Sequence, residues 1–396
     1  MERVVMKFGG SSVATIDKIK QVAQLVVQRK QEVKDLVVVV SAMGKSTNHL
    51  IELAGELSNE PSECEMDLLM ATGEMVSSAL LAIYLNAIGS KACSLTGFQV
   101  GLKTSGAHMQ GKIENAGSEK LDQCLAEGAI AVVTGFQGID EAGEITTLGR
   151  GGSDTSAVAL AAVLNARCEI YTDVAGIYTA DPRIRQQAYK LDHVTYEETM
   201  EMANLGAKVL EPRSVEMANR YHVPLYVALN TGDIIGTQIL SEDERMEKTT
   251  LTNVSKIDEV LLVNLKAGDN KDLNITECFL RLAHAHINID IISHTVDHEG
   301  NRLTSFTSTT GSKTKIERIL KELAADYTFT EDVSKVSIIG SAMRNQTGIA
   351  ARAFDVFYAQ DIPFYSVSTS EISISYVVDT AASNQIVNAL ADEFGL

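Results

Sequence analysis

The first candidate for chemistry is Lys7, which follows a short run of β-forming residues and precedes Gly9, Gly10 and two serines. Two adjacent glycines allow backbone N–H groups to approach a ligand closely, and the start of the following helix attracts an anion. Lys7 adds a full positive charge at the C-terminal end of the β-run. This combination predicts a site that stabilises a phosphoryl group during transfer. For this pattern taken alone, an ordinary strand-to-helix turn with a surface lysine is the alternative.

A second candidate is the stretch TTLGRGGSDT, in which Arg150 precedes Gly151 and Gly152, and Ser153 and Asp154 open an Ala/Leu-rich helix. Arginine matches a carboxylate with two parallel hydrogen bonds, which favours a carboxylate ligand here. Helix capping explains one of the polar residues equally well, because serine and aspartate are favoured at helix N-termini. Capping does not account for the arginine or the paired glycines, so we predict an anion site.

Three further stretches carry weaker signals. SAMGKS at 41–46 has the tail of a Walker loop, but the leading glycine of that motif would fall at Val39, so the P-loop interpretation fails. What remains is a second Gly/Ser-rich loop after a buried strand. Glu74, within MATGEMVSSALL, is expected in a first helical turn, where the macrodipole favours acids. The segment 171–184 is another strand that ends in polar turn formers.

The elements that position these residues alternate along the first 240 positions. Continuous β-branched runs at 36–44 and 129–138 suit a parallel sheet that is buried on both faces. Helical patterns lie between such runs, at 15–30, 65–87 and 153–165. This alternation predicts an α/β sandwich with the glycine-rich loops at the carboxyl edge of its sheet.

The chain changes character after a polar and charged stretch at 241–256, which we interpret as a linker. Residues 279–295 align with 354–370, and in each copy an amphipathic helix is followed by a β-run. Two small βαββαβ modules of about 70 residues each are implied. Modules of this size are too small to be a second catalytic domain of the first type.

Composition excludes several classes of function. The chain has 34 lysines and arginines against 52 acidic residues, a formal net charge of −18, which argues against a nucleic-acid or anionic-membrane surface. We expect no membrane span, because no apolar run reaches about 18 residues, and no signal peptide, because a charged strand begins at once. The five cysteines are scattered and never spaced as CxxC. We therefore expect reduced packing cysteines in a cytosolic protein, with neither a metal site nor a disulfide.

Taken in order, KFGGSS, VVVVSAMG, the TGE helix, TTLGRGGSDT, TDVAGIYTADPR and SVSTSEISIS resemble the aspartokinases of the amino-acid kinase family. The resemblance runs over nearly the full length of the chain. It implies a three-layer αβα kinase domain at 1–240, a linker at 241–258, and two βαββαβ ACT domains at 259–330 and 331–396. It also implies that a strand near 251–256 can pair with the second ACT domain.

The resemblance implies a reaction of ATP with L-aspartate that gives 4-phospho-L-aspartate and ADP, with Mg²⁺ on the nucleotide, in the cytoplasm. Such a reaction opens the route to lysine, threonine and methionine. Catalysis would fall to Lys7 and Asp154. The implied ATP-binding residues are Lys7, Phe8, Gly9, Gly10, Ser11, Thr172, Asp173, Tyr178, Asp181, Arg183 and Lys208. The implied aspartate-binding residues are Ser41, Thr47, Glu74, Arg150, Gly151, Gly152, Ser153 and Asp154.

The ACT domains imply feedback by an amino acid and assembly into a homo-oligomer, either a dimer or a tetramer. The residues expected to line an effector pocket in the first ACT domain are Asn288, Ile289, Asp290 and His294. Lysine, with or without threonine, is the expected effector because Asp290 can pair with a cation. Met246 could also start a separate C-terminal subunit, as in some similar enzymes.

Two alternatives remain at this point. One is another amino-acid kinase that acts on glutamate, N-acetylglutamate or a nucleoside monophosphate, and the other is a regulatory protein that senses amino acids without catalysis. The paired C-terminal modules disfavour the first, and the intact lysine, glutamate, arginine and aspartate of the motifs disfavour the second. Departures from the common family pattern, such as HMQGKI at 108–113 and Glu211, leave the catalytic motifs intact.

Overall fold

The computed structural model describes residues 2–207, 209–241, 251–266, 274–296, 298 and 302–396. Contacts divide the chain into two compact units, and no sheet is shared between them among the described strands. The first comprises Met1–Tyr178, Lys190–Asn204 and Lys208–Glu247, and the second comprises Thr179–Tyr189, Leu205–Ala207 and Lys248–Leu396. The segment Thr179–Tyr189, which falls within the kinase domain proposed from the sequence, therefore groups by its contacts with the C-terminal part of the chain.

The first unit contains a large sheet and a small one. Its described strands are β1 (Arg3–Phe8), β2 (Asp35–Val40), β3 (Ala92–Leu95), β4 (Lys103–Ser105), β5 (Lys112–Asn115), β6 (Ile130–Thr134), β7 (Gln137–Ile139), β8 (Ile145–Thr147), β9 (Arg167–Thr172), β10 (His193–Thr195), β11 (Leu225–Leu229) and β12 (Thr237–Leu240). The large sheet has the order β10-β12-β11-β9-β1-β2-β6-β3, and the small one has the order β5-β4-β7-β8. In the large sheet, only the β11–β12 pairing is antiparallel among the described neighbours. β2 and β6 are buried throughout, as their continuous apolar runs predict.

The helices described in the first unit are α1 (Ile16–Glu32), α2 (Ser46–Leu57), α3 (Glu63–Ala87), α4 (Glu119–Ala126), α5 (Gly152–Leu164), α6 (Tyr196–Asn204) and α7 (Pro212–Arg220). The three helices predicted from the sequence correspond to α1, α3 and α5, within two residues at each end. α1 begins after Thr15, whose side-chain oxygen accepts a hydrogen bond of 3.3 Å from the Lys18 N–H. This contact satisfies one of the donors left free at a helix start.

Helices cover both faces of the large sheet. α1 and α3 pack on one face through an apolar cluster that includes Met6 and Phe8 of β1, Val22 of α1 and Leu81 of α3. Because side chains alternate along a strand, Lys7 points to the opposite face, where α5 lies against β1. The first unit therefore has three layers, namely helix, sheet and helix. The Lys7 side chain points towards the layer that contains α5.

By length and composition alone, α3 is long and apolar enough to cross a membrane. We did not expect such a helix, because no uninterrupted apolar run in the sequence reaches about 18 residues. Half of its apolar window is buried inside the fold, where α3 contacts α1, β3 and β6. That packing is typical of the core helix of a globular domain, which passes the same test.

The cysteines depart from the sequence-based expectation. Cys93 on β3 and Cys124 on α4 are joined as a disulfide, so the prediction that disulfide use is unlikely is wrong for this pair. β3 pairs with β6 and α4 contacts β6, which brings together two cysteines that lie 31 residues apart in the chain. Cys64, Cys168 and Cys278 are free.

The second unit is one antiparallel sheet with helices. Its described strands are β13 (Asn253–Lys266), β14 (Ile292–Val296), β15 (Arg302–Thr309), β16 (Asp326–Ile339), β17 (Phe364–Thr369) and β18 (Ser373–Asp379). Its described helices are α8 (Ile275–His284), α9 (Lys313–Glu322), α10 (Ile349–Ala359) and α11 (Thr380–Phe394). The strand order is β14-β15-β13-β16-β18-β17.

Two long central strands join the halves of this sheet. Residues Asn253–Ile257 of β13 pair with Lys335–Ile339 of β16, and Val260–Lys266 continue beside Asp326–Val333. One apolar core lies under α8 and α9, and a separate core lies under α10 and α11. Two similar halves with separate cores therefore share a single sheet, in agreement with the internal repeat of the sequence.

Candidate active site

Lys7 and Asp154, the two predicted catalytic residues, meet at the carboxyl edge of the large sheet. Lys7 is the last residue but one of β1, and Asp154 lies in the first turn of α5. The Lys7 Nζ and Asp154 Oδ1 atoms are 2.5 Å apart, and each side chain is 12% exposed. Each charge compensates the other in this partly desolvated position. The Lys7 ammonium is thereby held beside the N-terminus of α5. The ammonium charge and the helix N-terminus both favour an anion at this place.

The two glycines after β1 differ in what surrounds them. A Cβ atom at Gly10 would lie 2.8 Å from the Ala42 carbonyl oxygen, so packing against the loop after β2 requires a glycine there. At Gly9 the nearest atom to a Cβ would be the Lys7 Nζ, at 3.7 Å. Gly9 therefore leaves the backbone open towards the lysine ammonium, which suits the close approach of a ligand.

Phe8 points into the core rather than towards the predicted phosphate site. Its side chain is fully buried and stacks on Tyr171, with 5.0 Å between the ring centroids. Its carbonyl oxygen accepts a hydrogen bond of 3.1 Å from the Ser41 N–H. Ser11 is exposed, and its carbonyl accepts a hydrogen bond of 2.7 Å from the Lys18 Nζ. Any ligand contact of Phe8 is therefore limited to its main chain.

The paired glycines at the start of α5 have a steric cause that we did not anticipate. Gly151 has φ of +66°, and a Cβ there would lie 2.3 Å from the Cγ atom of Glu211. A Cβ at Gly152 would lie 2.8 Å from the Cβ atom of Leu148. Only glycine fits both positions, and the backbone then turns Ser153 and the next residues into the buried start of α5.

Glu74 lies in the middle of α3 and is 3% exposed. Its Oε1 atom accepts a hydrogen bond of 2.9 Å from the Ala42 N–H, whereas Oε2 is buried with no hydrogen-bond partner among the described residues. Burial raises the pKa of Glu74 to about 7, although the Ala42 hydrogen bond opposes that shift. Because α3 begins at Glu63, the expected position of Glu74 in a first helical turn is wrong. A buried carboxylate with one free oxygen suits an ammonium ligand.

The other predicted aspartate-binding residues lie on neighbouring loops of the first unit. Ser41 follows β2, and its carbonyl accepts a hydrogen bond of 2.8 Å from the Ser77 hydroxyl, less than one turn beyond Glu74 on α3. Thr47 is half-buried in the first turn of α2. Arg150 is exposed in the turn between β8 and α5, with no ion pair to its guanidinium among the described residues.

The residues predicted to bind the nucleotide divide between the two units. Thr172 and Asp173 follow one another at the end of β9, and the Thr172 hydroxyl donates to the Asp173 carboxylate over 3.1 Å. Tyr178 is the last residue of the first stretch of the first unit. Lys208 lies outside the described residues. The remaining two, Asp181 and Arg183, belong to the second unit.

Within the second unit, the segment that carries Asp181 and Arg183 is bonded to α11. The two residues pair with each other at 2.7 Å, which lowers the pKa of Asp181. Arg185 is buried, and its Nε donates to the Leu396 carbonyl over 2.8 Å while its Nη1 lies 2.7 Å from the Asp392 carboxylate. Sequence reasoning missed Arg185, because nothing in TADPRIRQ indicates which of its arginines is buried.

Glu211 is a further residue beside Asp154, noted from the sequence only as a departure from the family pattern. Its side chain lies over Gly151. Burial first, and then the negative charge of Asp154, raise the pKa of Glu211. The positive charges of Arg150 and Arg213 act in the opposite direction. Glu211 therefore adds a second carboxylate near Asp154, whose own charge is compensated by Lys7.

The residues predicted to bind an effector lie between α8 and β14 and on β14. Asp290 is paired with Lys335 of β16, which is itself only 3% exposed. The Asn288 carbonyl accepts a hydrogen bond of 2.8 Å from the Ser308 hydroxyl, and His294 Nδ1 lies 2.7 Å from the Thr304 hydroxyl. Asp290 was predicted as an acceptor for an effector's ammonium, but a buried lysine already occupies that role in this structure.

Comparison with known proteins defines the class to which this fold and site belong. Residues 2–229 match the amino acid kinase family, and residues 336–394 match an ACT domain. The "Aspartokinase" of Geobacillus stearothermophilus is 44% identical over 395 residues, covering 99% of this chain and 97% of that protein. The chain therefore belongs to the amino acid kinase family. Within that family it groups with the aspartokinases, as its ordered motifs predicted.

Solved structures agree with this assignment at the level of the fold. Escherichia coli aspartokinase III in complex with aspartate and ADP superimposes with a TM-score of 0.80 at 24% identity, covering 100% of both chains. The same enzyme in complex with lysine and aspartate gives a TM-score of 0.78 at 25% identity, again covering 100% of both chains. The predicted fold class, an αβα kinase domain followed by ACT modules, is confirmed.

Proposed function

We propose that this chain is an aspartate kinase, which transfers the γ-phosphoryl group of ATP to the β-carboxylate of L-aspartate and releases ADP and 4-phospho-L-aspartate. The observation that carries the proposal is the Lys7–Asp154 ion pair, held between glycine loops at the start of α5. The full-length similarity to aspartokinases supports the same reaction. The neighbouring structure that contains aspartate and ADP supports this pair of ligands.

The mechanism follows from charge. The β-carboxylate of aspartate is already a nucleophile, so a covalent enzyme intermediate is unnecessary. The obstacle is repulsion between that carboxylate and the γ-phosphate, and the Lys7 ammonium opposes it by lying close to the transferred group. Main-chain N–H groups of Gly9 and Gly10 add further donors, whereas the Gly152 N–H donates to the Gly149 carbonyl over 3.1 Å. Asp154 holds the lysine ammonium at 2.5 Å and so keeps it in position.

Aspartate recognition requires partners for an ammonium and for an α-carboxylate. Glu74 supplies a buried carboxylate whose Oε2 lacks a partner among the described residues. Arg150 supplies an exposed guanidinium on the turn that leads into α5. Ser41, Thr47 and Ser153 line the loops around them and offer hydroxyl groups. Together these residues distinguish an amino-acid head group from a simple carboxylic acid.

Nucleotide binding is assigned to Thr172, Asp173, Tyr178, Asp181, Arg183 and Lys208, with the main chain at Phe8 and Ser11. We further propose that Mg²⁺ accompanies the nucleotide. The donor set fits this ion, because Mg²⁺ prefers carboxylate and phosphate oxygens, and Asp154 and Glu211 both offer carboxylates beside the proposed phosphate site. These two side chains would hold it. When bound, the ion would supply positive charge to the phosphate oxygens.

Formation of aspartyl hydroxamate from ATP, aspartate and hydroxylamine tests this function directly. An acyl phosphate reacts with hydroxylamine, so we expect hydroxamate with L-aspartate and at least about tenfold less with L-glutamate or N-acetylglutamate. Equal rates with glutamate would favour another amino-acid kinase. No product with any carboxylic substrate would favour a sensor without catalysis.

We propose that the reaction runs in the cytoplasm and begins the synthesis of lysine, threonine and methionine.

Feedback is proposed to act through the first ACT half, with lysine as the effector. The complex of the E. coli enzyme with lysine supports this choice. Because Asp290 is paired with Lys335, an incoming lysine would have to replace one ammonium by another at the same carboxylate. Asp290→Asn should therefore weaken lysine inhibition at least about tenfold. Tyr365→Phe, at the matching position of the second copy, should leave it unchanged.

Titration of activity with lysine, threonine and both together measures this effect. Inhibition by threonine alone, with none by lysine, would contradict the assignment.

We also propose that the ACT modules join chains into a dimer or tetramer, because β14 is an edge strand with every residue exposed. Light scattering that shows a monomer would oppose this. Met246, the possible start of a separate subunit, lies outside the described residues.

A further inference from the structure

A cysteine, a histidine and a glutamate from three separate elements converge in the first unit. Cys64 lies in the first turn of α3, His108 lies between β4 and β5, and Glu144 immediately precedes β8. One potential ligand atom from each residue lies within 4.8 Å of the other two. Glu74, the proposed aspartate-binding residue, is ten positions further along α3, which corresponds to about 15 Å of helix. The cluster is therefore separate from that site.

The spacing of the three side chains matches a tetrahedral metal site. The Cys64 Sγ and Glu144 Oε2 atoms are 3.5 Å apart, and the His108 Nε2 and Glu144 Oε2 atoms are 3.4 Å apart. Zinc binds sulfur at about 2.3 Å and nitrogen or oxygen at about 2.0–2.2 Å, so two tetrahedral ligands lie about 3.3–3.7 Å from each other. Two of the three separations thus already have the values that a common ion requires.

A buried carboxylate orients the histidine for this purpose. Asp67 is fully buried, and its Oδ2 lies 2.7 Å from the Nδ1 atom of His108. The same carboxylate accepts hydrogen bonds from the Met109 N–H and the Thr147 hydroxyl. A carboxylate behind Nδ1 fixes the ring and leaves Nε2 as the metal-binding atom, which is the usual arrangement around histidine ligands. Here Nε2 is the atom that approaches Glu144.

We propose that Cys64, His108 and Glu144 bind a zinc ion, with water as the fourth ligand. A thiolate with an imidazole favours zinc over magnesium or calcium, which prefer oxygen ligands alone. The ion would join α3 to the connection between β4 and β5 and to the start of β8. α3 carries Glu74, and β8 leads into Arg150, so the ion would stabilise both elements that present the proposed aspartate ligands. We did not expect metal use from the scattered cysteines, because the three residues are remote in the sequence.

Cobalt binding to the full-length, metal-free protein tests the site without relying on activity. Co²⁺ bound to a thiolate gives an intense charge-transfer absorption, and Cys64 is the only one of the three free cysteines that is not buried. We expect this band to appear with one Co²⁺ per chain and to disappear when Zn²⁺ is added. Cys64→Ser should abolish the band, and Glu144→Gln should weaken Zn²⁺ binding at least about tenfold. Both variants leave the Asp67–His108 contact in place.

Glu141→Gln is the matched control, since this exposed acid lies on the same turn as Glu144 but outside the cluster. It should bind Zn²⁺ as the unmodified chain does. The proposal is overturned if Co²⁺ gives no charge-transfer band, or if the band persists in Cys64→Ser. It is equally overturned if Glu144→Gln and Glu141→Gln bind Zn²⁺ with the same affinity as the unmodified chain.

Discussion

Lys7→Ala is expected to lower kcat by at least about 100-fold, while the KM for ATP changes much less. The lysine ammonium opposes charge that is greatest when the phosphoryl group passes between two anions, so its loss affects the transition state most. The substitution also removes the charge that compensates Asp154, 2.5 Å away. Steady-state kinetics with both substrates varied separates the effect on kcat from the effects on the two KM values.

Lys45→Ala is the matched control for that result. Lys45 belongs to the Walker-like tail SAMGKS and is exposed at the start of α2, so its removal should leave kcat within about twofold. Circular dichroism and thermal unfolding show whether both variants are folded. Near-normal turnover in Lys7→Ala, or an equally large loss in Lys45→Ala, would show that the phosphate site has been placed on the wrong loop.

Local patterns were sufficient to predict buried parallel strands of the large sheet, and the ordered motifs were sufficient to propose Lys7 and Asp154 as the catalytic pair. The first five residues of the run at 36–44 are the last five of β2, because a strand covered on both faces is predominantly apolar. Lys7 and Asp154 each stand close to glycines at the junction of a strand or turn with a helix, within the motifs that carry the family resemblance. In such places sequence neighbours are also neighbours in space, so each short motif predicts its own part of the site.

Contacts between distant segments could not be predicted in this way. β4, β7 and β8 have three residues each, too few for a periodic pattern, so the small sheet was missed. The position of Glu211 over Gly151 depends on how α7 packs near α5. The pairing of Asp290 with Lys335 depends on the register of strands in the second unit.

Glu74→Gln is expected to raise the KM for aspartate at least about 30-fold, with little change in the KM for ATP. The side chain keeps its shape and can still accept the Ala42 hydrogen bond, but it loses the charge that attracts an ammonium. Arg150→Lys should show the same selectivity for aspartate, because lysine cannot make two parallel hydrogen bonds to a carboxylate. Glu63→Gln, an exposed acid on the same helix, is the control and should change neither KM.

Glu74→Gln should also stabilise the folded protein at alkaline pH. Burial raises the pKa of Glu74 from 4.5 to about 7, so between these values the folded chain holds a proton that the unfolded chain has lost. Stability therefore falls as pH rises through this window, and above pH 7 the buried charge costs up to about 3 kcal/mol. Glu74→Gln removes that cost, and its free energy of unfolding at pH 8 should exceed that of the unmodified chain by about 1–3 kcal/mol.

Aspartate binding in the unmodified chain should show the matching pH dependence. Below pH 7 the carboxyl group of Glu74 is increasingly protonated in the free protein, so the KM for aspartate should rise about tenfold for each unit of pH lost. Glu74→Gln has no such group, and its KM should stay flat over the same range. Denaturant unfolding and kinetics at pH 5.5, 7 and 8.5 measure both effects. A less stable Glu74→Gln variant whose KM still depends on pH would show that another group binds the ammonium.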